Sequence, residues 1–176
     1  MDVTRLRQND AAYPPVLSQY LGKDAPASIA ILGDLQALKG TKLALFCSVK
    51  CPAKLILQTH DLAQQLAQAG VTVIGGFHSP VEKECVKVCD NRHRSDIQMS
   101  LYRNRFVAAV ADQVFIAYAS PSSKTEQFCR EILAWQKPVY TFGYASNENL
   151  MTLGARPLTP GEVAQIGLGV DKRSED

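Results

Sequence analysis

Three short stretches and one basic tripeptide in this chain carry residue types that grip anions. Cys47-Ser48-Val49-Lys50-Cys51-Pro52 offers a hydroxyl and a cation just ahead of a proline suited to a first helical turn. Gly75-Gly76-Phe77-His78-Ser79-Pro80-Val81-Glu82 opens on paired glycines, which let a ligand come close to the backbone. Ala119-Ser120-Pro121-Ser122-Ser123-Lys124-Thr125-Glu126 is rich in hydroxyls and includes a lysine. Arg103-Asn104-Arg105 can hold phosphate bidentately. The candidate phosphate or nucleic-acid contacts are therefore Ser48, Lys50, Gly75, Gly76, His78, Arg103, Asn104, Arg105, Ser122, Ser123, Lys124 and Thr125. Arg92, His93 and Arg94 lie near the tripeptide in sequence and extend a local basic rim.

Each stretch also has a plainer reading. Ser79 with Glu82, and Ser123 with Glu126, have the spacing of a capping box, which uses both side chains to start a helix. Lys50 can be a solvated lysine, and the two arginines a solvated helix face. Enzyme signatures are missing: there is no GxxxxGK[ST], no GxGxxG, no GxSxG and no HExxH. The five cysteines stand at 47, 51, 85, 89 and 129. An odd number argues against a disulfide framework. The pairs Cys47/Cys51 and Cys85/Cys89, with His78 and His93 as nitrogen donors, suggest zinc less than free thiols, so neither metal nor cofactor is expected.

These residues need elements to hold them. Leu43 to Cys47, Val71 to Ile74, Val114 to Tyr118 and Pro138 to Phe142 are apolar runs of strand length, the last read as the final strand. Between them lie helical patterns. The first starts at Pro52, with Leu55, Thr59, Leu62, Leu66 and Ala69 inward, and ends at Gly70. Val81 to Val88 is a short helix, followed by a polar basic loop, Cys89 to Ser95. Ile97 to Ala111 has Ile97, Leu101, Val107 and Val110 inward. The helix after Pro121 has Phe128, Ile132 and Leu133 inward, and Asn147 to Leu153 is a further short helix. Ahead of them, Val16 to Leu21 reads as a helical turn or two and Ser28 to Leu32 as a strand candidate. Repeated strand–helix–strand units predict an α/β, Rossmann-like, doubly wound and mostly parallel sheet with helices on both faces. Ligands then bind beyond the carboxyl ends of the strands, where the three stretches fall. The expected organisation is an N-terminal extension over 1–28 packing on a domain over 29–160, then a polar, disordered tail over 161–176.

Hydrophobic residues are 46% of the 176, charged residues 20%, and the formal net charge is +2. That excludes general disorder, and it confines any anion site to a local patch. No apolar run approaches the ~18–20 residues of a membrane span, and the polar first ten residues lack a secretory leader. The expected compartment is the cytoplasm.

At the motif level the chain resembles the DNA-processing protein A family (DprA, also called Smf). That family lies within the Rossmann-like SLOG superfamily, which also contains the LOG phosphoribohydrolases. The resemblance rests on Tyr13-Pro14-Pro15, Ile31-Leu32-Gly33-Asp34-Leu35, Ala69 to Gly76, and above all the helix Arg103-Asn104-Arg105-Phe106-Val107-Ala108-Ala109-Val110-Ala111-Asp112. It runs from about Tyr13 to Pro157 and looks like the shorter single-domain variants. The family's usual Gly-Ser-Arg loop reads Cys47-Ser48-Val49-Lys50 here, and Phe77-His78-Ser79-Pro80 replaces its Arg-Gly-Ile-Asp stretch. Between Val88 and Ile97 the chain is short by about one strand.

The resemblance implies a non-enzymatic protein that binds single-stranded DNA or a nucleotide during DNA uptake. It implies Lys50, Arg103 and Arg105 on phosphate and Asn104 positioning the loop, with a RecA-type recombinase as partner and a homodimer as assembly. Phe77, Tyr102 and Tyr118 are candidates for base stacking. The alternatives are a LOG-like hydrolase of nucleoside monophosphates, in which Glu126 would be catalytic, and a nucleotide-sensing domain.

Overall fold

The structure is a computed structural model that describes residues 3–32, 35–76, 79, 82 and 97–158, with only the backbone of 37 and 97–100. The expected helix over 81–88 (apart from Glu82, which is helical), the 89–95 loop, the shortened 88–97 connection and the 161–176 tail lie outside the described residues, as do Phe77 and His78.

The elements are β1 (Val3–Arg7), α1 (Pro15–Leu21), β2 (Ser28–Leu32), β3 (Lys42–Phe46), α2 (Ala53–Gln68) and β4 (Thr72–Gly75). They continue with α3 (Ile97–Val110), β5 (Gln113–Ile116), α4 (Lys124–Ala134), β6 (Val139–Phe142), α5 (Glu148–Leu153) and β7 (Arg156–Leu158). The central sheet has the order β4-β3-β5-β6-β7, and each neighbouring pair is parallel. This is the doubly wound arrangement. The chain leaves β3 toward β4 on one side and returns past β3 to β5 on the other, so the topological switch point lies between β3 and β5.

Strand alternation sorts the core. Leu43, Leu45, Phe115 and Ala117 face a layer formed by Leu55, Leu62, Ala63 and Leu66 of α2. Ala44, Phe46, Val114 and Ile116 face the other layer, with Ala108 of α3, Phe128 and Ile132 of α4, and Leu150 of α5. β3 is buried throughout: from Leu43 onward it is apolar, as a strand covered on both faces is, and Lys42 at its start is paired with Asp112 at 3.0 Å. Phe128 meets Phe46 edge-on, centroids 5.1 Å apart, and fixes α4 over the sheet.

Four features depart from the sequence reading. β7 follows β6 as an edge strand; Arg156, Pro157 and Leu158 carry no strand pattern, and an edge tolerates the proline. Ala69 is the exposed C-cap of α2 rather than an inward residue, with Gly70 beyond it at φ +70°. Leu101 is 44% exposed. α3 buries its carboxyl half on two sides at once through small residues: Ala108 and Ala111 go to the sheet, Ala109 and Val110 to the amino-terminal layer with Leu17 and Leu21. No single apolar stripe marks such a helix. Finally, β2 pairs antiparallel with β1, from Val3 opposite Leu32 to Arg7 opposite Ser28. The ribbon packs with α1 on α3 as one layer, so residues on both sides of position 28 share that layer.

Candidate functional site

Two loops flank the switch point: 47–52 from β3 to α2, and 117–123 from β5 to α4. They are joined at their roots, since the Ser48 N–H donates to the Tyr118 carbonyl at 2.9 Å and the Ala117 N–H to Phe46. A third loop enters from β4. There Ser79 and Glu82 form the expected capping pair, the Glu82 N–H donating to Ser79 Oγ at 3.1 Å and Ser79 Oγ donating to Glu82 Oε1 at 3.1 Å. The same carboxylate oxygen accepts from the Cys47 N–H at 3.3 Å, so the buried Glu82 ties the β4 loop to the β3 loop.

In the β3 loop, Ser48 is only 8% exposed, and its hydroxyl is buried with no hydrogen-bond partner among the described residues. Pro52, the N-cap of α2, supplies no side-chain acceptor; the Leu55 and Ile56 N–H groups turn back to its carbonyl. Val49 and Lys50 are exposed. Lys54, on the first turn, lies 4.9 Å from the centre of the Tyr144 ring, and Gln58 donates to the Tyr144 hydroxyl at 2.5 Å. Tyr118 and Tyr144 are half-buried and pack on the same side of the sheet.

The β5 loop differs. Ser123 caps α4 by accepting from the Glu126 N–H at 3.2 Å. Glu126 Oε2 accepts from the Ser122 N–H and from Asn149 Nδ2, each at 2.9 Å, and Oε1 accepts from Arg130 at 3.0 Å. Asn149, Arg130 and the Ser122 N–H together hold the Glu126 carboxyl below its ordinary pKa. Ser122 adopts φ +60°, a left-handed backbone uncommon for serine, which turns its N–H toward that carboxylate. Lys124 is exposed and Thr125 half-buried.

Gly75 is the last residue of β4, in register with Leu45. A Cβ added to Gly76 would lie 2.6 Å from Asn104 Oδ1 and 2.9 Å from Arg103 Nε. The close approach that demands glycine here comes from the protein's own α3 side chains. Asn104 Oδ1 is itself buried without a hydrogen-bond partner among the described residues. Arg105, two positions along α3, points elsewhere: its Nε donates to Glu131 at 2.6 Å and it pairs with Asp24 at 3.4 Å. Its guanidinium pairs with two carboxylates, so Arg105 stands apart from the Arg103–Asn104–Gly76 contact.

The sequence reading missed Asn147 and Asn149. Asn147 is fully buried and donates to the Ala117 carbonyl and to Thr141 Oγ1, bracing the β5 and β6 ends. Asparagines just after a buried strand were the available signal. Among the described residues no three His, Cys, Asp or Glu side chains gather as a metal site, and no helix is long and apolar enough to cross a membrane.

A family model described as DNA recombination-mediator protein A matches residues 4–97, more than half of the 176. The chain belongs to that family. The fold agrees with two solved relatives. The DNA processing protein A of Helicobacter pylori superposes with a TM-score of 0.75 at 19% identity, covering 96% of each chain. That of Streptococcus pneumoniae gives 0.74 at 16% identity, covering 94% of this chain and 74% of its own. No curated protein sequence matches the chain.

Proposed function

We propose that this DprA-family chain is a cytoplasmic protein that binds single-stranded DNA in the crevice between its β3 and β5 loops. One observation carries the reading: the buried Ser48 hydroxyl lacks a partner, in a loop that leads into a helix whose N-terminus no side chain caps. A buried hydroxyl without a partner costs about 1–3 kcal/mol, and an uncapped helix start attracts anions. A phosphate oxygen satisfies both. Lys50 and Lys54 add positive charge, and Arg103, packed on Gly76 at the next strand end, adds a third cation. Tyr144, whose ring lies 4.9 Å from Lys54, and Tyr118 on the same side of the sheet offer the aromatic faces that single-strand grooves combine with cations. The H. pylori relative has been studied for its mode of binding single-stranded DNA, which supports the same ligand here.

The LOG-like hydrolase reading needs Glu126 available to a substrate. In this structure both of its oxygens already accept hydrogen bonds from within the chain. A recombinase partner and a homodimer rest on the family resemblance; they are tested by co-elution with a RecA-type protein and by the mass of the free protein in solution.

The test is a titration with a labelled single-stranded oligonucleotide at low and moderate salt, with duplex DNA and AMP as competitors. Salt-sensitive binding that prefers single strands is expected. Failure to bind DNA, with AMP retained or hydrolysed, overturns the proposal in favour of a nucleotide pocket.

A further inference from the structure

The β3 loop holds two cysteines that the binding reading does not use. Cys47 is buried at the end of β3, its N–H held by Glu82. Cys51 is half-exposed, packs against the same cluster as Cys47, and its Sγ lies 3.6 Å from the Pro52 carbonyl. The two side chains pack into one cluster from positions four apart in the same loop. Three residues separate them, two of which are Ser48 and Lys50.

We propose that Cys47 and Cys51 form a thiol–disulfide exchange pair that closes a covalent ring around Ser48 and Lys50 when it meets a small-molecule disulfide. Cys51 is the attacking sulfur and Cys47 the resolving one. Exposure decides the order, since only Cys51 is reachable from solvent. Electrostatics agrees: the neighbouring Cys47 lowers the Cys51 pKa, while Cys51, burial and Glu82 raise the Cys47 pKa. In the first step the Cys51 thiolate attacks one sulfur of the disulfide, forming a mixed disulfide and expelling a thiolate. In the second the Cys47 sulfur, losing its proton, attacks Cys51 and expels the other thiolate. Two protein thiols are oxidised by two electrons, and one small disulfide is reduced to two thiols. Cys129 is excluded as the partner: it is buried on the opposite face of the sheet, and burial pushes its thiol up to about 11. The regulatory consequence rests on the proposed DNA site, because the ring constrains two of its contacts.

The full-length reduced protein is incubated with oxidised glutathione, and its unreduced peptides are mapped by mass. The expected result is a Cys47–Cys51 bond. Cys51→Ser should slow thiol loss from this loop by roughly tenfold or more, and Cys47→Ser should trap a stable glutathione adduct on Cys51. No reaction, or a bond from either residue to Cys85, Cys89 or Cys129, overturns the pair; this mapping uses the unmutated protein and needs no variant to fold. Oligonucleotide affinity is then compared before and after oxidation, with a severalfold loss expected. A mapped bond that leaves binding unchanged overturns the regulatory consequence. Reduced protein that never binds DNA overturns the proposed function instead, and leaves the mapping to decide the thiol pair.

Discussion

The β3 and β5 loops do the same topological job at the same switch point, yet the chain finishes one and leaves the other open. At the start of α4, the Ser123 side chain accepts from the Glu126 N–H, and the Glu126 carboxylate accepts from the Ser122 N–H just ahead of the helix. At the start of α2 stands Pro52, whose carbonyl takes the Leu55 and Ile56 N–H groups but which has no side-chain acceptor to offer, beside a hydroxyl that has no partner among the described residues. A helix N-terminus attracts anions only when its own sequence has not already provided one. The β4 loop falls in the first class, since Ser79 and Glu82 fill it. Under the proposed function, ligand binding belongs to the 47–54 segment and stability to the 120–126 segment.

The largest expected effect comes from emptying the filled loop. Glu126→Ala strips acceptors from the Ser122 N–H, Asn149 and Arg130 together, and should lower Tm by several degrees while leaving oligonucleotide affinity intact. The carboxylate carries this contribution in its ionised form, and its folded pKa is depressed. The stability it lends is therefore complete above the ordinary carboxylate range and lost as pH falls through the lowered value. Glu126→Gln should flatten that acid dependence in thermal melts at a series of pH values. A variant with unchanged Tm but lost DNA binding would reverse the assignment of the two loops.

Ser48→Ala probes the open loop. It removes a buried hydroxyl that has no partner among the described residues, so stability should stay within about 0.5 kcal/mol of the parent. Affinity for the single strand should fall about tenfold, or roughly 1.4 kcal/mol. A destabilised variant with full affinity would show that the hydroxyl serves the fold. Gly76→Ala is next in size. Its Cβ collides with Asn104 and Arg103 side chains rather than with backbone, so those groups must shift. A stability cost of about 1 kcal/mol is expected, with an affinity loss smaller than that of Ser48→Ala, read by the same melts and titrations.

How much of this was legible in the sequence follows from what each element must do. β3 and β5 are buried on both faces, so their uninterrupted apolar runs announced a central parallel sheet. Both capping boxes are local three-residue relations and were visible as such. β7 was hidden because an edge strand of three residues needs no pattern of its own. α3 misled because alanines packed on two sides leave no apolar stripe. At the site, Ser48 and Gly76 were chosen on chemical type and position. Sequence gave no means of telling that Gly76 makes room for Arg103 and Asn104, or that Arg105 turns to Glu131. Those facts depend on which elements meet, as does the bracing role of Asn147.

The smallest effect separates two lysines that sequence treated alike. Lys50 and Lys124 are both exposed, and each lies near a helix start beside the switch point. If the open loop takes the phosphate, Lys50→Gln removes one released counterion, and the slope of log affinity against log salt should flatten by about 0.7 for a single strand. Lys124→Gln stands next to a loop whose Ser122 N–H is already taken by Glu126, and its slope should match the parent. Equal flattening in both variants would mean that the strand runs across both loops and senses only their charge. The contrast between a filled and an open helix start would then govern stability, with no bearing on where DNA lies.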